Sequence, residues 1–254
     1  MQRRKKRVIS IFFIIVFVVS LFYFIEDLSE YYKVKKEYEE IKSEVLGKDR
    51  VIHWESLWKI NKDIVAWIEI PNTPVDYPVV QTKSNSQYLK EDIRGSYSIY
   101  GSIFLDERLY AGDLGSNFNN IIYGHNMGRL TDVMFGSLKE YLSSDYLKGH
   151  KVVNLYTPQK NYKYQIASVE YATAYSSVYY IDFEKEDFAV WVKEQVSKSL
   201  YRCLNPEIIR SYADRFSKGN LGKIITKYGN TLTLSTCDTT HNDRNKIVLF
   251  CIPK

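Results

Sequence analysis

From Ile64 onward the chain is a succession of short runs bounded by Gly, Pro, Asn or Asp: IVAWIEIP, DYPVVQ, GSIFLD, NNIIYG, HKVVNLY, YKYQIASVEYATAY, NTLTLSTC and KIVLFCI. Their β-branched and aromatic side chains fit a pleated surface, and the turn residues stop each run before it reaches helical length. Eight such runs in one stretch of chain predict a mainly β domain, an all-β barrel or sandwich. One segment breaks the pattern. Phe183, Phe188, Trp191, Val192, Val196 and Leu200 fall mostly three to five residues apart, which predicts a long amphipathic helix inserted ahead of the last two strands. A second helix is expected around Pro206 to Phe216.

The N-terminal third has a different grammar. Val8 to Ile25 is apolar apart from Ser10, Ser20 and Tyr23. At about 1.5 Å per residue it spans roughly 27 Å, enough for a hydrocarbon core. Residues 1–7 carry five basic groups and no acid, and Glu26-Asp27 follows the run. The positive-inside bias therefore puts the N-terminus in the cytoplasm and everything after residue 26 outside. A cleaved secretory signal is the competing reading. It would need a small-x-small cleavage site, whereas the run holds no Ala or Gly and carries Phe22, Tyr23 and Phe24 where cleavage would fall. The expectation is a single-pass membrane anchor over 8–25. Glu26 to Leu46, charged and free of Pro and Gly, reads as a helical stalk that Gly47 ends, and Trp54, Leu57 and Trp58 lead into the domain. The organisation expected is a basic segment 1–7, an anchor 8–25, a stalk and N-terminal helix 26–56, and one domain 57–254. The net charge of +5 is already present in residues 1–7, so the rest is balanced and carries no nucleic-acid footprint.

Three cysteines, Cys203, Cys237 and Cys251, allow at most one internal disulfide and contain no CxxC pair, which argues against zinc. Cys251 sits inside KIVLFCI as a small buried hydrophobe would, and Cys203 carries no signal. Cys237 ends TLTLSTC and precedes the polar loop DTTHND, so a rigid strand holds it while a loop leaves it reachable. From position alone, a nucleophile and a packed thiol are equally good readings. A free thiol near pKa 8.5 is a weak nucleophile at neutral pH, so a base or a cation is expected beside it. His53 and His150 are poorly placed. His241 is four residues away in sequence, and His125 closes IIYGH after a permissive Gly124; from the residues the two stand equal. Arg244 is the one arginine after Cys237 and could hold an oxyanion, or could be a solvated strand-end charge.

TLSTC at 233–237, IIYGHNM at 121–127 and Arg244 before a β-rich C-terminus together resemble the sortases, cysteine transpeptidases of Gram-positive cell surfaces. PVVQ at 78–81, IFLD at 103–106, the N-terminal helical segment and the helix inserted before the nucleophile-bearing strand resemble class B in particular. The resemblance runs from about Leu57 to the C-terminus. It implies an eight-stranded β-barrel over 57–254 with Cys237 as nucleophile, His125 as general acid/base and Arg244 as the oxyanion or substrate-orienting group. Ser235 falls beside the substrate, and Tyr123 and Asn126 flank the histidine as further pocket candidates. The Cys237 to Arg244 interval is short for the family.

The implied reaction cleaves a C-terminal sorting motif of surface proteins after Thr, through a thioester, and passes the acyl group to an amine of a peptidoglycan precursor or of a pilin lysine. Class B enzymes are associated with NPQTN-like motifs, others with LPxTG-like ones. No metal or organic cofactor is implied. Two alternatives remain at this point: a membrane-anchored hydrolytic cysteine protease, and a surface scaffold with an incidental thiol. A papain-like enzyme would carry Cys before His, the reverse of the order here.

Overall fold

The eight β-rich runs pair into a closed barrel in a computed structural model, which describes residues 2–128, 131–201, 203–215, 230–237 and 246–254, with backbone alone at 2–5, 8, 49, 185, 186 and 237. Arg244 and His241 lie outside the described residues. The strands are β1 (Ile64–Glu69), β2 (Asp76–Val80), β3 (Phe104–Leu105), β4 (Asn119–Gly124), β5 (Val152–Tyr156), β6 (Asn161–Ala172), β7 (Thr231–Cys237) and β8 (Lys246–Pro253). Their order is β1-β2-β3-β4-β7-β8-β6-β5, and β5 closes the ring on β1 through Trp67↔Tyr156. Closure removes the free edges that an open sheet would expose. Two neighbours are parallel, β2 with β3 and β4 with β7, and the others are antiparallel.

Side-chain chemistry explains which strands sit deepest. Ile247 to Ile252 of β8 are all buried. A strand buried on both faces cannot alternate with polar residues, so KIVLFCI reads as a continuous apolar run. Its outer cover is α4 (Lys185–Ser197): Trp191 packs edge-on against Phe250 with centroids 5.2 Å apart, and Phe188 and Val192 are fully buried. Strand β7 does alternate. Leu232 and Leu234 are apolar, while the hydroxyls of Thr231 and Thr233 donate to Asn119 Oδ1 at 3.1 and 2.9 Å. Asn119 Nδ2 in turn donates to the carbonyls of Val178 and Tyr180. Those hydrogen bonds let a polar face be buried without orphaned groups. The second expected helix forms as α5 (Pro206–Asp214), capped by Asn205 Oδ1 accepting from Glu207 N, with Pro206 in the first turn where its missing N–H costs nothing.

The anchor and the stalk are one helix, α1 (Gln2–Val45), and its C-terminal half does not stand clear of the barrel. Val34, Tyr38, Ile41 and Val45 recur at four- and three-residue spacing and are buried against the core, with Tyr38 edge-on to Tyr77 at 5.0 Å. Burying each such side chain contributes about 1.5–3 kcal/mol. The ion pairs that flank this stripe, Lys35–Asp132 at 3.4 Å and Arg94–Glu37 at 2.7 Å, are partly exposed and worth about 0–1 kcal/mol each, so the apolar stripe does most of the docking. From Ile9 to Ile25, by contrast, the large apolar side chains are exposed, on a helix long and apolar enough to cross a membrane. After Gly47 the chain turns back, α2 (Trp54–Ile60) buries Leu57, and β1 begins.

One buried acid stands out from this core. Glu170 of β6 is 4% exposed, its Oε1 has no partner among the described residues, and burial pushes its pKa up to about 7 although Lys198 opposes the shift. A carboxyl whose folded pKa exceeds the unfolded value of 4.5 binds its proton more tightly when folded. Its contribution to stability is therefore complete below pH 4.5, falls as pH rises, and is lost once pH passes about 7. Glu170→Gln should remove that slope, so the melting temperature of the variant should gain on wild type between about pH 5 and 7. Parallel melting curves across that range would mean that Glu170 does not titrate there.

Candidate active site

The parallel pairing of β4 with β7 sets the site. Its register runs Tyr123↔Ser235 and Gly124↔Thr236, and His125 and Cys237 are the residues that directly follow that last pair. On the other side of β7, Cys237 is the cross-strand partner of Lys246, which in turn pairs with Ala172 of β6. One rim of the barrel thus carries Cys237 and Lys246 as cross-strand partners beside the end of β4, from which His125, distant in the chain, follows.

Two glycines let His125 take its place. A Cβ on Gly124 would collide with Ile103 and with the Phe135 ring at 2.8 Å, so only glycine lets the end of β4 lie this close to the core. Gly101 has φ +56°, in the left-handed region, and a Cβ there would press on the Tyr88 carbonyl and on His125 Cδ2 at 3.1 Å. The loop it belongs to holds the imidazole: His125 Nε2 donates to the Leu89 carbonyl at 2.8 Å. A nitrogen that donates to a carbonyl carries the proton, so in the neutral ring Nδ1 is the basic atom. The backbone carbonyl of His125 accepts from Phe135 N at 3.0 Å, which closes the following turn.

His125 opens onto a cleft of about 370 Å³ whose floor is a fixed polar lattice. Arg108 grips Asp106 with two hydrogen bonds, Nε to Oδ1 at 2.8 Å and Nη2 to Oδ2 at 2.9 Å. Tyr123 donates to Asp106 Oδ2 at 2.9 Å, and Arg108 Nη2 also reaches the Tyr179 carbonyl at 3.3 Å. The Tyr179 hydroxyl meets Ser235 Oγ at 2.8 Å. The Tyr123 and Tyr179 rings lie 6.2 Å apart, and Lys246 Nζ sits 5.6 and 5.9 Å from their centroids. Burial opposes the charge on Asp106, but the hydrogen bonds from Arg108 and Tyr123 outweigh it and hold its pKa below the ordinary carboxylate value. Burial, and then the neighbouring Asp106 charge, push Tyr123 well above the usual phenol value. Near neutral pH the pair stays as carboxylate and phenol, and neither exchanges a proton with a substrate.

Of the expected site residues, His125, Tyr123 and Ser235 line the cleft. Cys237 takes its place at the rim by backbone register, and Arg244 falls outside the described residues. Asn126 is buried, its Oδ1 accepts from Gly128 N at 3.1 Å, and its Nδ2 has no partner among the described residues. The other described histidines are tied up elsewhere: His53 precedes α2, and His150 bonds the Tyr146 carbonyl at 2.8 Å while stacking on its ring. Cys203 and Cys251 are free and buried, and burial raises both thiols. Sequence reasoning missed Asp106 as part of the site, together with Arg108, Tyr179, Leu89 and Lys246. Asp106 and Arg108, two residues apart after a strand, gave a usable signal; Tyr179 gave none.

Comparison with known proteins agrees with this geometry. The model of the sortase domain matches residues 68–253. Sortase B of Staphylococcus aureus is 30% identical across 97% of this chain and 96% of its own length, and sortase B of Listeria monocytogenes is 34% identical across 72% and 66%. A solved structure of sortase B from Bacillus anthracis superposes with a TM-score of 0.70 at 26% identity, covering 89% of this chain and 98% of that one. A sortase B–substrate complex from Staphylococcus aureus superposes with a TM-score of 0.65 at 29% identity, covering 90% and 96%. The domain match and the identity over nearly the whole chain show that the chain belongs to the sortase family of cysteine transpeptidases.

Proposed function

We propose that this transpeptidase, which attaches surface proteins to the cell wall, works through a thioester on Cys237, with His125 as its general acid/base and Arg244 as a cation for the acyl oxygen. The observation that supports the reading is the β4–β7 register, whose last pair, Gly124 with Thr236, immediately precedes His125 and Cys237. The thiolate adds to the carbonyl carbon of a Thr in a C-terminal sorting motif, and the carbonyl electrons move onto oxygen. The tetrahedral adduct then collapses, the departing amine takes a proton from His125, and the thioester remains. In the second half an amine attacks the thioester, gives its proton back to His125 and releases the thiolate. The amine we propose is that of a peptidoglycan precursor, a pilin lysine being the variant of the same chemistry. Tyr123 and Ser235, anchored through Asp106 and Tyr179, are the proposed walls for the peptide.

The continuous helix α1 supports an uncleaved anchor, because the same rod that carries the apolar segment is docked to the barrel by Val34, Tyr38 and Ile41, and the five basic groups of residues 1–7 support a cytoplasmic N-terminus. A cleaved signal would cut that rod.

The chemistry is tested by incubating the protein with NPQTN- and LPETG-containing peptides, with and without an amine acceptor. Product that appears only with the amine distinguishes transfer from hydrolysis. Cys237→Ala should abolish the acyl-enzyme seen by intact-protein mass spectrometry, and its persistence would sink the assignment. His125→Ala should slow turnover by at least ~10²-fold with an unchanged melt, whereas His241→Ala should act weakly. For the anchor, the mature protein should keep its first residues and sediment with membranes, and an N-terminus found beyond residue 20 would establish a cleaved signal instead.

A further inference from the structure

Lys246 opens β8 directly across from Cys237. Residues opposed in an antiparallel pair stand on the same face of the sheet, about 4.5–5.5 Å apart at Cβ. The ammonium is not thrown out into solvent. It lies over the faces of Tyr123 and Tyr179, at 5.6 and 5.9 Å from their centroids, within the range where a ring quadrupole attracts a cation. Tyr123 is locked to Asp106 and Tyr179 to Ser235, so the two rings form a rigid cradle that aims the side chain along the cleft. The other cleft cation, Arg108, is already bound two-pronged to Asp106. Among the described residues, no carboxylate pairs with Lys246.

We infer that Lys246 is a catalytic residue, donating a hydrogen bond from its ammonium to the carbonyl oxygen of the scissile peptide bond. The inference rests on the thioester reading above and adds a second cation to it. When the Cys237 thiolate adds, the C–S bond forms and the carbonyl π pair moves to oxygen. Lys246 stabilises that oxyanion without giving up a proton, and the oxygen returns to a carbonyl when the amine leaves with the proton from His125. A positive charge opposite the nucleophile also favours the thiolate over the thiol before any substrate arrives.

Full-length enzyme in detergent provides the test, with Lys246→Met, Lys246→Gln, Lys246→Arg and Arg244→Met compared with wild type. Single-turnover acylation by the NPQTN or LPETG peptide should slow ~10²–10³-fold in the Met and Gln variants, the usual loss for one oxyanion donor, and Lys246→Arg should recover most of it. Melting temperatures should stay close to wild type, and the Gln variant keeps the test open if Met fails to fold. The pH profile of Cys237 alkylation by iodoacetamide should move to higher pH in both neutral variants, a change that loss of packing alone does not produce. Near-wild-type acylation and an unmoved alkylation profile in Lys246→Met, beside an inactive Arg244→Met, would overturn the inference and leave the oxyanion to Arg244. Failure of wild type to acylate with either peptide counts against the thioester reading instead, and the alkylation profile, which needs no peptide, still decides the role of Lys246.

Discussion

Parallel neighbours cannot be joined by a tight turn, so the pairing of β4 with β7 obliges the chain to cross over, and here roughly a hundred residues lie between the two strands. Everything distinctive about the molecule lies in that excursion or answers to it. Strands β5 and β6 close the ring, α4 covers β8, and the turn holding Tyr179 is pinned between Asn119 and Trp191. A slip of one residue in the pairing would turn Thr231, Thr233 and Ser235 toward the apolar side, away from Asn119 and Tyr179. The buried hydrogen bonds of those hydroxyls therefore fix the register that pairs Gly124 with Thr236, next to His125 and Cys237. Stability and chemistry depend on the same contacts.

The cleft divides its charged groups into two kinds. Asp106, Arg108 and Tyr123 neutralise and orient one another, and their protonation is frozen by burial and mutual hydrogen bonds. They make a stiff wall whose job is geometric. His125 and Lys246 are held by weaker constraints, a single carbonyl for the imidazole and two ring faces for the ammonium. Groups held in position without being neutralised are the ones able to respond when charge develops on a substrate.

The sequence was most informative where burial is local. All eight strand runs formed strands, though GSIFLD shrank to Phe104–Leu105, because Gly101 and its neighbours are used in the left-handed turn against His125. The inserted helix formed over Lys185–Ser197, and Phe183 contributed its ring from the preceding segment, packing on Trp191 at 4.6 Å. Long-range partnership was not legible. His125 and His241 stood equal from the residues because nothing local records that β4 and β7 are neighbours, and the family resemblance had to choose between them. The stalk looked free for the same reason: Val34, Tyr38 and Ile41 form a stripe at helical spacing, but a stripe does not say what covers it. Asn126 stood out only for its place beside the histidine; in the fold it is buried and accepts from Gly128 N.

Helix α1 passes without a break from its exposed apolar half to its docked half, and Tyr31, six residues beyond Ile25, already donates to Asp132 in the loop that follows His125. That is about 9 Å of axial rise. Barrel and rod are therefore geared together. Each residue added between Ile25 and Tyr31 would turn the whole domain by about 100° and lift it by about 1.5 Å. The compass bearing of the cleft around the rod is thus written in a count of amino acids, and a change of one residue in that count would swing it through more than a quarter of a circle.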